Sequence, residues 1–135
     1  MKRTIEDMRK SAITGYTDHS GIELLEMGDG YAYGRIRIAE HHLNPSGAVH
    51  GGVTFCLGDV MGGIACATLG AKPVTVDSNI SYFRPLVGTK EITAKAQVIK
   101  YGRTMMFTEV RIYNDQNTEA CRMNASYYNT RERNQ

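Results

Sequence analysis

The chain has 135 residues, a length that suits one domain and leaves little room for a second independent core. Apolar residues make up 41% and the formal net charge is +2, an ordinary globular balance that excludes a strongly basic nucleic-acid surface. The charged stretch from Met1 to Asp7 is no secretory leader, no apolar run approaches the roughly 18 residues of a membrane span, and Cys56, Cys66 and Cys121 show no CxxC spacing, so free thiols and a cytoplasmic setting are expected.

Thr4 to Ala12 reads as a short helix, with Thr4 and Asp7 spaced as a capping box. Gly15 to Gly21 reads as loop. Ile22 to Met27 and Tyr31 to Ile38 read as strands joined by the hairpin signal Gly28-Asp29-Gly30. In the second strand Tyr33, Arg35 and Arg37 alternate with Gly34, Ile36 and Ile38, which fits a sheet with one wet face. His41 to Val49, containing Asn44-Pro45-Ser46-Gly47, reads as loop. Gly51 to Leu69 is the long helix. Four strands follow, roughly Val74 to Phe83, Glu91 to Tyr101, Thr104 to Tyr113 and Glu119 to Tyr128, with turns at Gly88, Gly102 and Asn114 to Asn117. The order is helix, two strands, long helix, four strands. It predicts an α+β domain over residues 1–135, with residues 1–20 an N-terminal helix and loop, and a single antiparallel sheet around one principal helix. Strands and helices do not alternate, which disfavours a doubly wound nucleotide fold.

The long helix is apolar or small on every side, through Val53, Phe55, Leu57, Val60, Met61, Ile64, Ala65, Ala67 and Leu69. An ordinary surface helix has one apolar stripe, so this one must be wrapped, and the sheet is the only candidate. Gly52, Gly58, Gly62 and Gly63 each cost helix stability of order 1 kcal/mol against alanine but permit close backbone approach. Asp59 is its single charged residue. A lone acid there either reaches a wet end or caps a neighbouring loop, or it is a general base or nucleophile. At the helix start, the N–H groups of Gly51 and Gly52 lack intrahelical partners and sit at the positive end of the helix dipole, which makes a ready oxyanion site.

Asn44-Pro45-Ser46-Gly47-Ala48-Val49-His50-Gly51-Gly52, followed by Leu57-Gly58-Asp59, resembles the signature of the hotdog-fold thioesterases, and within them the PaaI-type acyl-CoA thioesterases. Val74 to Pro85 and Lys100 to Thr104 resemble later parts of the same family, so the likeness spans about Gly21 to Tyr128. The resemblance implies a long antiparallel sheet wrapped around the helix and hydrolysis of an acyl-CoA thioester. It makes Asp59 the general base or nucleophile, and the Gly51 N–H, with Gly52, the donor to the thioester carbonyl. Asn44 would hold water or the carbonyl, His50 would orient the loop or bond near the thioester, and Thr75 would reach the site from the partner subunit. Arg84, Gly102, Arg103 and Thr104 would contact coenzyme A. The family assembles as homodimers, usually paired into homotetramers, with active sites at the dimer interface. No metal or organic cofactor is implied, coenzyme A entering only as part of the substrate.

Other features read as structural. His41-His42 lacks partners at ligand spacing and is a loop pair. Cys56 and Cys66 pack as small hydrophobes. Asp77 is solvated or pairs with Arg84. Competing functions are an acyl-thioester hydratase or dehydratase, a non-catalytic acyl-CoA binding module, and a structural oligomer. Only about 20 residues precede the first strand, too few for a helix-turn-helix.

Overall fold

The computed structural model describes residues 3–131. Its elements are α1 (Ile5–Ala12), α2 (Gly15–His19), β1 (Ile22–Gly28), β2 (Tyr31–Arg37), a 3-10 turn (Glu40–His42), α3 (Gly51–Ala67), β3 (Pro73–Tyr82), β4 (Glu91–Tyr101), β5 (Met105–Tyr113) and β6 (Glu119–Asn129). All six strands form one antiparallel sheet in the order β1-β2-β4-β5-β6-β3. The sheet wraps α3, and this is the hotdog fold.

Alternation places the core. Ile92, Ala94 and Ala96 of β4, Met106, Val110 and Ile112 of β5, and Met123, Ala125 and Tyr127 of β6 face Leu57, Met61, Ile64 and Ala65 of α3, all nearly inaccessible. Each large apolar side chain so buried contributes about 1.5–3 kcal/mol. Glycines let helix and sheet approach. A Cβ on Gly34 of β2 would lie 2.5 Å from Met61 Sδ, and one on Gly58 of α3 would lie 2.6 Å from Met123 Sδ. Ridges of methionine therefore fill notches that only glycine leaves open.

At the N-terminus, Thr4 Oγ1 accepts from Asp7 N at 3.0 Å and Thr4 N donates back to Asp7, the capping box expected. Met8, 1% exposed, and Arg9, whose guanidinium donates to Leu24 O, dock α1 on β1. Gly15–His19 is a short helix rather than loop, closed by Ser20 N to Tyr16 O at 2.9 Å. Five residues between left-handed glycines, Gly15 and Gly21, are too few to show a helical period. The long helix stops at Ala67, two residues before the expected end. Thr68 folds its hydroxyl onto Ala65 O at 2.6 Å and accepts from Gly30 N at 2.8 Å, tying the helix end to the β1–β2 hairpin. Among the described residues, no helix is long and apolar enough to cross a membrane.

β3 is an edge strand, and its exposure sets it apart. Val74 and Val76 are more than half exposed, and Tyr82 and Phe83 about half. A bulge between Thr75 and Asp77 interrupts its pairing with β6. Just before the bulge, Thr75 stands directly opposite Tyr127, and the extra residue re-aims the side chains around it.

Candidate active site

Asp59 lies mid-way along α3, half-buried, and its carboxylate is held from the sheet. Thr75 Oγ1 donates to Asp59 Oδ1 at 2.8 Å. The Tyr127 hydroxyl donates to the Asp59 carbonyl at 2.8 Å and lies 3.4 Å from the same Oδ1. The register of β3 on β6 explains the convergence: two residues directly opposite one another on adjacent strands both reach over α3. Thr75 therefore serves the carboxylate of its own chain, a correction to the expectation that it crosses from a partner. Among the described residues Oδ2 accepts no hydrogen bond.

The three residues line a cleft of about 610 Å³. It runs beside the second half of α3, past Val60, Gly63, Ile64 and Ala67, with Met8 and Ala12 of α1 in the opposite wall and Pro73 and Thr75 of β3 beside them. This is within the size range of small-molecule sites, and its lining mixes apolar side chains with polar ones that include the cations Arg3, Lys72 and Arg131. Burial and the Asp59 charge push the Tyr127 phenol well above its ordinary range, so it stays protonated and remains a donor.

The start of α3 forms a separate site. Gly51 lines a second cleft of about 360 Å³ together with Asn44, Thr54, Tyr82, Phe83 and Arg84. The Gly51 N–H finds no acceptor among the described residues, while its carbonyl accepts from Thr54 Oγ1 at 2.8 Å and from the Tyr82 hydroxyl at 2.7 Å. The Gly52 N–H is not available as a second donor, because it donates to His50 Nδ1 at 2.9 Å. His50 is the N-cap of α3, and a capping side chain satisfies the amide two residues on. Its role is to fix the helix start, and Gly51 alone is left as the open donor.

Asn44 builds the loop leading to that donor. Its Oδ1 accepts from Ser46 N, Ser46 Oγ and Ala48 N at 3.0, 2.8 and 3.1 Å. An asparagine used this way organises a turn, and only its amide N–H groups remain for a ligand. Arg84 donates to Glu119 O at 2.9 Å rather than pairing with Asp77. Gly102, Arg103 and Thr104 form the β4–β5 turn, where Gly102 N donates to Met105 O at 2.9 Å, and they line neither cleft.

The remaining candidates are structural fasteners. His42 is 4% exposed and spends both ring nitrogens on the loop, accepting from Ala39 N at 2.9 Å and meeting Ser20 O at 2.8 Å. Burial pushes the Cys66 thiol up to about 12 and the Cys121 thiol up to about 11, and raises Cys56 as well. None is poised as a thiolate nucleophile. Tyr127 went unnoticed in the sequence. The available signal was a tyrosine in phase with Met123 and Ala125 on a core-facing strand, where its hydroxyl needs a partner.

Known proteins resemble the chain in sequence and in fold. The sequence profile of the thioesterase superfamily matches residues 46–121. The chain is 36% identical to human acyl-coenzyme A thioesterase 13 over 95 residues, covering 69% of this chain and 68% of that protein. It is 30% identical over 96 residues to acyl-coenzyme A thioesterase PaaI of Escherichia coli, covering 71% of this chain and 69% of that protein. A hypothetical thioesterase protein of Streptococcus pneumoniae, crystallised with coenzyme A, superposes with a TM-score of 0.82 at 26% identity, over 93% of this chain and 98% of that one. The same protein has been crystallised as an aspartate-to-alanine and as a threonine-to-alanine variant. Those two positions are sixteen residues apart, the separation of Asp59 and Thr75.

Proposed function

The chain belongs to the thioesterase superfamily, and from that premise we propose that it hydrolyses an acyl-CoA thioester to the free acid and coenzyme A, with Asp59 as the catalytic carboxylate. The carrying observation is the geometry of Asp59. It is a carboxylate on an otherwise apolar helix, anchored through Oδ1 by Thr75, with Oδ2 accepting no hydrogen bond among the described residues, at the wall of a cleft. A general base needs one oxygen fixed and the other open to a proton.

Base and oxyanion donor come from two copies of the chain. Gly51 and Asp59 are eight residues apart on α3, so at about 1.5 Å per residue they are separated by about 12 Å along the axis. A single thioester carbon must sit within about 3–3.5 Å of its nucleophile while its oxygen meets the donor. No one chain satisfies both. The exposed apolar edge of β3 supplies the means, since an uncapped edge strand is a template for pairing. Pairing β3 with β3 of a second copy about a two-fold axis runs the two α3 helices antiparallel, setting the Gly51 end of each beside Asp59 of the other. The assembly is a homodimer, with a homotetramer as its paired form.

In the resulting site Asp59 Oδ2 takes a proton from water, whose oxygen adds to the thioester carbon. The partner's Gly51 N–H holds the oxyanion at the positive end of its helix. Collapse breaks the carbon–sulfur bond and returns the proton to the departing coenzyme A thiolate. Direct attack by Asp59, through a mixed anhydride that water then opens, draws on the same atoms. Asn44 and Arg84, beside Gly51, hold the carbonyl and the coenzyme A arm. The Gly102-Arg103-Thr104 turn contributes to coenzyme A only from outside both clefts. The proposed reaction draws on no metal or organic cofactor and runs in the cytoplasm, a reading that free thiols and an acyl-CoA substrate support.

Thiol release from a panel of acyl-CoAs tests this, with wild type beside Asp59→Asn. Hydrolysis of at least one ester, with a loss of about 10²-fold or more in the variant, is the expected outcome. Equal rates in the two proteins would remove Asp59 from the mechanism. Hydration of an enoyl-CoA without thiol release would replace hydrolysis by the hydratase reaction.

A further inference from the structure

Tyr127 is 1% exposed, and its hydroxyl is aimed at the one charged residue of α3. We propose that Tyr127 is a positioning residue for the Asp59 carboxylate, acting through the hydroxyl that spans the Asp59 carbonyl and Oδ1. The inference rests on the reading of Asp59 given above.

Three observations carry it. First, the hydroxyl is not needed to satisfy the helix. A mid-helix carbonyl already accepts from the amide one turn on, so the bond at 2.8 Å is additional, and a phenylalanine ring would fill the same core volume. Second, Tyr127 and Thr75 are register partners, and both hydroxyls meet the same oxygen, Oδ1. Thr75 reaches Oδ1 from the edge strand, whereas the Tyr127 ring is locked in the core. The rigid hydroxyl therefore backs the shorter Thr75 bond, holding Oδ1 and the Asp59 backbone together and leaving Oδ2 to the reacting water. Third, the helix makes room for it. A Cβ on Gly62 would collide with the Tyr127 hydroxyl and sit 3.1 Å from Thr108 Oγ1. Gly62 is a costly residue in a helix interior, and here it opens the notch through which the hydroxyl reaches the backbone beside Asp59. Misplacing a reacting group by about 1 Å can cost 10²-fold in rate, so a positioning group of this kind has a measurable share.

The test is the steady-state kinetics of thiol release for wild type, Tyr127→Phe, Gly62→Ala, Asp59→Asn and the double variant Tyr127→Phe with Asp59→Asn, each checked for folding by its melting curve. Tyr127→Phe is expected to lower kcat about tenfold with KM within about twofold of wild type. Gly62→Ala displaces the hydroxyl without deleting it and is expected to lower kcat in the same way, which keeps the question answerable if one variant folds poorly. The double variant is expected to be no slower than Asp59→Asn alone, because the hydroxyl acts only through the carboxylate. A folded Tyr127→Phe protein with wild-type kcat would overturn the inference, as would the same tenfold loss on the Asp59→Asn background, which marks a purely structural residue. If Asp59→Asn is itself as active as wild type, the role of Asp59 falls and the role of Tyr127 falls with it. If Asp59→Asn is inactive and Tyr127→Phe unimpaired, only the role of Tyr127 falls.

Discussion

Deleting the Gly51 N–H and then restoring activity by mixing tests the two-chain site directly. Gly51→Pro removes that donor with little harm to the helix. Gly51 is the first residue of α3, where proline is favoured because the N–H has no intrahelical partner. His50 before it has φ −60° and ψ 135°, an extended conformation that a following proline accepts. A Cβ at Gly51 lies 3.0 Å from the Tyr82 hydroxyl, and the half-exposed ring has room to give. Losing one oxyanion donor costs about 10²–10³ in kcat, so Gly51→Pro and Asp59→Asn homodimers are both expected to retain about 1% of activity or less. When the two variants are refolded together in equal amounts, half of the dimers are mixed. Each mixed dimer has one site with Asp59 from one chain and the Gly51 N–H from the other, both intact. Recovery is therefore expected at about a quarter of the wild-type rate. Thiol release before and after co-refolding measures it. No recovery above the two homodimers would mean that base and donor act within one chain, and full activity of Gly51→Pro alone would remove Gly51 as the donor.

Four further changes probe the supports. Thr75→Val, which keeps the shape and deletes the donor at 2.8 Å from Asp59 Oδ1, is expected to lower kcat about tenfold, while Thr75→Ser retains most of it; parallel thiol-release kinetics distinguish them. His50→Ala removes the cap on Gly52 N–H and is expected to cost about 1 kcal/mol in chemical denaturation, with a lower midpoint at unchanged slope. Gly34→Ala drives a Cβ into Met61 and the Glu23 carbonyl, 2.8 Å away, and is expected to cost about 1–3 kcal/mol by the same measurement. Arg122 donates to both oxygens of Glu119 at 2.9 Å and holds that carboxyl below its ordinary value of 4.5. A depressed carboxylate stabilises above its unfolded value and loses that contribution as pH falls through the folded one. The melting-temperature gap between wild type and Arg122→Gln is thus expected at neutral pH and to close well below pH 4.5.

The elements were legible wherever residue type and period agreed. Ile92, Ala94, Ala96 against Thr93, Lys95, Gln97 gave β4 its bounds and its inner face, and Gly28-Asp29-Gly30 gave the hairpin, with Asp29 at positive φ. Asp59 stood out because no other charge shares its helix. Local sequence failed where the relevant neighbour was distant in the chain. That Tyr127 meets Asp59 depends on a register between β3 and β6 shifted by a bulge at Val76, and no pattern within either strand encodes it. That Gly52 is consumed by His50 was within reach of local reasoning, since a histidine can cap a helix, but the glycine pair reads as two equivalent donors until the side chain is placed. The two clefts were hidden for a different reason. The spacing of Gly51 and Asp59 suggests one site, and only the straight run of α3 makes that spacing a distance too great for one substrate.

The separation itself has a physical reason. The first turn of a helix is the one place where backbone N–H groups stand free with the dipole behind them. An aspartate set there in the same chain would take those donors itself, as N-cap and first-turn acids do, and each group would quench the other. In this chain His50 takes one of the two N–H groups and the other stays open, while the acid sits two turns away, held by hydroxyls that fix it without neutralising it. In the dimer proposed above, a second copy running antiparallel would bring an open donor to an open carboxylate, with the substrate between them and no direct contact to compete with it. The charge on α3, the glycines at its start and the unpaired edge of β3 are separately costly to a monomer. The proposed pairing gives all three a common use, as parts of a site that two copies would complete.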